Sequence, residues 1–136
     1  MKILVGIDIQ SIDDVEASMK DFGSRYLERV YTPDEIECCS RDGHCEAEEL
    51  AKRFAAKEAA AKLLELSDVA FPWTSIEVRS TQLGGSTLSL SGAAAQRAAL
   101  RGVDDISVSF SHTNRIASAI VVAESSEEDG GDKIWR

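Results

Sequence analysis

Residues 53–62 read Arg-Phe-Ala-Ala-Lys-Glu-Ala-Ala-Ala-Lys, with no glycine, proline or β-branched side chain among them. Such a run of strong helix formers commits the middle of the chain to a helix, and the remainder must pack around it. The pattern extends over about 46–66, with Leu50, Phe54 and some of the alanines expected to be buried. Residues four apart share a helix face, so Phe54, Glu58 and Lys62 stack, with Arg53 and Lys57 in a parallel basic row. One carboxylate inside a basic stripe has two readings from spacing alone. It solvates a surface helix, or it supplies a hard oxygen ligand to a divalent cation while the amines meet neighbouring phosphate charge.

The flanking sequence alternates in period. Ile3, Val5, Ile7 and Ile9 fall on one side of an N-terminal strand, with Leu4, Gly6 and Asp8 on the other. Gly6 has no side chain and leaves open space beside Asp8, which suits either a ligand-facing aspartate or a cap for the next helix. Ile12, Val15, Met19, Phe22 and Tyr26 then recur at three- and four-residue steps, an apolar stripe expected in the core, with a stop or kink at Gly23. Thr32-Pro33-Asp34-Glu35 combines an N-cap, a proline at the first helical position and a glutamate three residues on, a capping box that opens a short helix through Cys39. Asp42-Gly43 marks a loop, and Phe71-Pro72-Trp73 closes the helical half. From Ser75 the period is two: Ile76 and Val78, a Gly84-Gly85 turn, then Leu88 and Leu90. A helix over 92–100 closed by Gly102 and two strands, 106–110 and 116–122, complete the pattern. Intermixed helices and hairpin strands predict an α+β domain with a mainly antiparallel sheet packed against the long helix.

The chain of 136 residues is long enough for one domain with a real core. We expect that domain to span 1–124, with 125–136 an acidic, glycine-bearing and mobile tail. A net charge of −9 excludes nonspecific nucleic-acid binding, because phosphate backbones demand a basic face. No apolar run is long enough to span a membrane, and the N-terminus reads directly as strand, so a cytoplasmic location is expected. Cys38, Cys39 and Cys45 are expected as reduced thiols. With His44 they raise the question of zinc, but adjacent cysteines lack the two-residue spacer of a chelating knuckle.

Three motifs then act together: Gly6-Ile7-Asp8-Ile9, Arg53-Phe54-Ala55-Ala56-Lys57-Glu58-Ala59 with Lys62, and Val108-Ser109-Phe110-Ser111-His112-Thr113. In this order and spacing the chain resembles the holo-(acyl-carrier-protein) synthases, the short, trimeric type of 4′-phosphopantetheinyl transferase, over about 1–124. The resemblance implies that fold, and it implies transfer of the 4′-phosphopantetheine arm of coenzyme A to a serine of an acyl carrier protein, with release of adenosine 3′,5′-bisphosphate. It further implies a magnesium ion on Asp8 and Glu58, and Lys62 at the transferring phosphoryl group. Arg53 and Lys57 would add phosphate contacts, or serve as surface cations. Ser111, His112 and Thr113 would touch the nucleotide of coenzyme A, and in a homotrimer would approach Asp8 and Glu58 of a neighbouring subunit. Two positions depart from the family, which carries an acidic residue where Ser11 stands and a basic one where Asp14 stands. Arg25 and Arg29 are therefore expected to take over part of the carrier contact. The competing reading is a non-catalytic trimeric homologue that binds coenzyme A or a nucleotide, and intact Asp8, Glu58 and Lys62 argue against it.

Overall fold

A computed structural model describes residues 1–67 and 69–127. The alanine-rich run forms helix α4 (Ala47–Leu63), shorter at its end than the composition suggests. Glu65 adopts a positive φ of 56°, and the Leu66 amide turns back to the Ala61 carbonyl at 2.9 Å, closing the helix with a non-glycine residue in the left-handed region. Helix α5 (Gly92–Leu100) lies beside this terminus. Arg97 donates to the Leu64 carbonyl at 3.2 Å and Arg101 to the Leu63 carbonyl at 2.8 Å, placing two cations at the negative end of the α4 dipole.

Strands β1 (Lys2–Ser11), β4 (Ile76–Ser80), β5 (Ser86–Leu90), β6 (Val103–His112) and β7 (Ile116–Ser125) form one sheet in the order β1-β7-β6-β5-β4. Every neighbouring pair is antiparallel, as the hairpin signals predict. Helix α4 covers one face, burying Ala55, Ala56, Ala59 and Ala60 against Leu4, Val121 and Ile106. Alanine here brings the helix axis close to the sheet, and the transfer of its methyl groups and theirs from water drives the packing.

A second apolar cluster sits under the N-terminal helices α1 (Ile12–Phe22), α2 (Ser24–Val30) and α3 (Pro33–Cys38). Ser11 caps α1 by accepting from the Asp14 amide at 3.2 Å, which gives the first family departure a local role. Gly23 separates α1 from α2 at φ 56°, the expected break. The capping box forms as read: Thr32 Oγ1 accepts from the Glu35 amide and Glu35 Oε1 from the Thr32 amide. Asp42 and Gly43 make a two-residue turn at φ 52° and 80° between the short strands β2 (Ser40–Arg41) and β3 (His44–Cys45).

The bulky face of β1 points outward, with Ile3, Val5, Ile7 and Ile9 each more than half exposed, while Leu4 and Gly6 face α4. Two expectations are corrected. Phe22 is 59% exposed and not in the core, because the Gly23 break ends the stripe at that residue. The tail does not begin at 125. Ser125 is fully buried and donates to the Arg101 carbonyl, and Glu127 pairs with Arg101 at 3.1 Å. Residues 128–136, the rest of the expected tail, lie outside the described residues.

Candidate active site

Gly6 decides where the site forms. A Cβ built there would stand 2.1 Å from the backbone carbonyl oxygen of Ala59, so α4 lies directly on β1 at this point. The open space expected beside Asp8 is therefore filled by helix backbone, and only glycine permits the approach. Asp8, two residues along on the same face, meets the C-terminal half of α4.

The contacts there are specific. Lys62 Nζ donates to Asp8 Oδ1 at 2.9 Å and to the Ile7 carbonyl at 3.0 Å. Gln10 Nε2 donates to Asp8 Oδ2 at 2.6 Å, a partner the sequence reading missed although its place two residues on in the strand puts it on the same face. Partial burial holds the Glu58 carboxyl above its ordinary value; the negative charge of Asp8 adds to this and Lys62 opposes it. Asp8, Glu58 and Lys62 thus form one electrostatic cluster from two elements 50 residues apart in sequence.

Two neighbouring carboxylates, one of which makes ionisation of Glu58 costlier, are a donor set for a hard divalent cation, which would relieve that repulsion. No group of three or more His, Cys, Asp or Glu able to hold a metal occurs among the described residues. Any such ion would therefore complete its shell with water or with ligand oxygens, as magnesium does. Beside the cluster opens a cavity of about 510 Å³, with Glu58 and Lys62 at its polar end and Leu66, Val69, Phe71 and Trp73 along its walls. Phe71 and Phe54 both meet the Trp73 ring edge-on, at 4.9 and 5.3 Å.

The other expected site residues are dispersed. Lys57 does not stand in an exposed basic row. Its side chain is fully buried, with Nζ bonded to Glu35 Oε1 at 2.7 Å and to the carbonyls of Trp73 and Ile76, so its charge is already met inside the fold. Arg53 is engaged by the Glu49 carboxylate and carbonyl, both at 3.1 Å. His112 Nε2 lies 3.0 Å from Glu48 Oε1 at the start of α4, and Thr113 Oγ1 accepts from the Arg115 and Ile116 amides in the turn. Ser111 pairs with Ser118, so β7 stands between this segment and β1 within one chain. Arg25 and Arg29 sit together on α2, lining a surface cleft of about 360 Å³ with Ser18, Phe22 and Tyr26.

A strand aspartate, a helix glutamate and a helix lysine are thus gathered beside a largely apolar cavity on an α+β frame. A profile of the 4′-phosphopantetheinyl transferase superfamily matches residues 4–121. The chain is 40% identical over 126 residues to the holo-[acyl-carrier-protein] synthase of Moorella thermoacetica, covering 93% of this chain and 97% of that protein. It is 34% identical over 125 residues to that of Solibacter usitatus, covering 91% and 99%. The chain belongs to the holo-[acyl-carrier-protein] synthases, enzymes of the 4′-phosphopantetheinyl transferase superfamily. Among solved structures it superposes with TM-score 0.75 on the Helicobacter pylori holo-[acyl-carrier-protein] synthase in complex with coenzyme A, at 28% identity, covering 89% of this chain and all of that one. The Mycobacterium tuberculosis acyl carrier protein synthase superposes with TM-score 0.69 at 32% identity, covering 91% and 99%.

Proposed function

We propose that the Asp8–Glu58–Lys62 cluster carries the transfer of the 4′-phosphopantetheine group from coenzyme A to a serine hydroxyl of an apo acyl carrier protein. The observation that supports this most is the meeting of β1 and α4 at Gly6, which brings Asp8 within 2.9 Å of Lys62 and within electrostatic reach of Glu58. In the reaction the serine oxygen bonds to the β-phosphorus of the diphosphate and releases its proton to solvent, the bond from that phosphorus to the bridging oxygen breaks, and adenosine 3′,5′-bisphosphate leaves. Lys62 exchanges its contact with Asp8 for the phosphate oxygens, where an ammonium offsets developing charge. Asp8 and Glu58 would hold a magnesium ion, which supplies Lewis-acid polarisation of the diphosphate when bound. Gln10 keeps the Asp8 carboxylate turned toward α4. The apolar walls at Val69, Phe71 and Trp73 exclude water from one side of the reacting group.

Assembly as a homotrimer belongs to the same reading. The outer face of β1 and β7 exposes Ile3, Val5, Ile7, Ile9, Ile116, Ile120 and Val122, a continuous aliphatic patch larger than solvated monomers leave open. Ser111 lies on that same face beyond β7, so a neighbouring subunit covering the patch would receive residues 111–113, with His112 and Thr113 exchanging their contacts with Glu48 and the 113–116 turn for its diphosphate site. Arg53, five residues before Glu58 on α4, would be a further phosphate contact in this arrangement if it exchanges its bonds to Glu49 for phosphate. Arg25 and Arg29 receive the acidic carrier. A reducing, cytoplasmic setting accords with three free cysteines, and no helix among the described residues is long and apolar enough to cross a membrane.

The test is direct. The protein is incubated with coenzyme A, magnesium and an apo acyl carrier protein, and the carrier is weighed by mass spectrometry. A gain of one phosphopantetheine group is expected; an unchanged carrier mass contradicts the assignment.

A further inference from the structure

The ion pair of Glu35 and Lys57 has no place in the transfer as described, yet its two side chains are bonded on every side. Both side chains are fully buried, at 2.7 Å from each other. Glu35 Oε1 accepts from Lys57 and from the Thr32 amide at 3.0 Å, and Oε2 accepts from the Val78 amide at 3.0 Å. Lys57 spends its other two ammonium protons on the carbonyls of Trp73, at 3.1 Å, and Ile76. A buried ion pair stabilises a fold no better than apolar side chains of the same volume, so packing alone gives no reason for it. What an apolar pair cannot do is fix directions. This pair ties α3, α4, the 3₁₀ turn at Trp73–Ser75 and strand β4 to one point.

That point is adjacent to the chemistry. Lys57 immediately precedes Glu58 on α4, and Lys62 follows little more than a turn later. Trp73, whose carbonyl Lys57 holds, is a wall of the cavity that Glu58 and Lys62 enter, and its ring contacts set Phe71 beside it. Rotation or sliding of α4 against residues 69–73 is opposed by the bond from Lys57 to the Trp73 carbonyl. We propose that Glu35 is a positioning residue: through Lys57 it fixes the roll of α4, and so the placement of Glu58 and Lys62, against the wall formed by residues 69–73. The proposal rests on the reading of Glu58 as a cation ligand.

The experiment uses three variants of the full chain. In the double variant Glu35→Leu/Lys57→Met an apolar pair fills the same volume, and in Glu35→Gln one carbonyl oxygen remains for the lysine. Glu58→Gln is the control for the site itself. Manganese(II) affinity in the presence of coenzyme A is read by electron paramagnetic resonance, and kcat and KM are measured for the folded fraction. The expected result for both Glu35 variants is a cation affinity weakened about 10- to 100-fold and a kcat lowered by a similar factor, as for supporting groups behind metal ligands. The KM for the carrier stays within about twofold, since Arg25 and Arg29 are held by α2. A merely structural role would lower the unfolding temperature and leave both quantities unchanged in the folded fraction, and that result overturns the proposal. If either variant fails to fold, the other decides. If Glu58→Gln keeps wild-type cation affinity, the cation-site reading fails and takes the proposal with it; if it loses that affinity while both Glu35 variants keep it, the proposal alone fails.

Discussion

Replacing Gly6 with alanine tests how the site is built. The added methyl carbon would lie 2.1 Å from the Ala59 carbonyl oxygen and 3.0 Å from Val121 Cγ2, whereas ordinary contact begins at 3.4 Å. Helix α4 must therefore retreat from β1 by about 1.3 Å, the amount by which the 2.1 Å distance to the oxygen falls short of the 3.4 Å contact limit. The obstacle is helix backbone, which moves only as a unit, so the cost falls at the upper end of overpacking changes, about 3 kcal/mol. For a domain of this size that corresponds to a fall in unfolding temperature of roughly 10 °C. The same retreat stretches the Lys62–Asp8 contact from 2.9 Å beyond hydrogen-bonding reach. A displacement of about 1 Å at a reacting centre costs on the order of 100-fold in rate. Thermal unfolding by circular dichroism and the carrier-modification rate at saturating coenzyme A read the two effects. Adding Ala59→Gly gives no rescue, because the clash is with the carbonyl and not with the side chain. A Gly6→Ala protein with wild-type unfolding temperature and rate would refute the account of β1 and α4 as an interlocked pair.

Other outcomes follow from the same geometry. Because the folded-state pKa of Glu58 is raised, its ionisation opposes folding as pH rises; Glu58→Gln should unfold at a higher temperature than wild type near pH 8, the gap closing below about pH 4, where the carboxyl is protonated in both states. Differential scanning calorimetry across that range checks the sign. Burial pushes the Cys39 thiol up to about 12, so at pH 8 a thiol reagent should modify exposed Cys38 quickly and Cys39 only after unfolding, as peptide mapping would show. Arg25→Glu/Arg29→Glu should raise the KM for an acidic carrier about tenfold or more and leave the KM for coenzyme A within twofold; equal effects on both would remove α2 from the carrier contact.

Much of the fold is legible in the sequence because local signals carry it. The capping box at Thr32, the break at Gly23, the turn at Gly84-Gly85 and the uninterrupted helix each involve neighbours within a few residues. Which side of an element is covered is a different kind of information. Alternation in β1 separates Ile3, Val5, Ile7 and Ile9 from Leu4, Gly6 and Asp8 without saying which side is covered. The covered side is that of Gly6, because an alanine-faced helix packs closest where the strand is smallest. Helical spacing likewise places Arg53 and Lys57 in one row but says nothing of what lies opposite. The missing clue was Glu35, an acid already assigned to the capping box, whose carboxylate has capacity for a second partner and takes Lys57. Helix spacing and the strand pattern single out Glu58, Lys62 and Asp8 as candidates, but their convergence depends on how α4 packs across β1, which no local pattern encodes.

The central claim is that Asp8 and Glu58 serve one site and act as a unit. Carrier-modification rates of Asp8→Asn, Glu58→Gln and the double variant, at saturating coenzyme A and magnesium, test it most directly. Each single change should lower kcat at least about 100-fold, and the double variant should be no slower than the worse single one, because either loss already disables the shared site. Losses that multiply in the double variant, or a single variant with wild-type kcat, would contradict it.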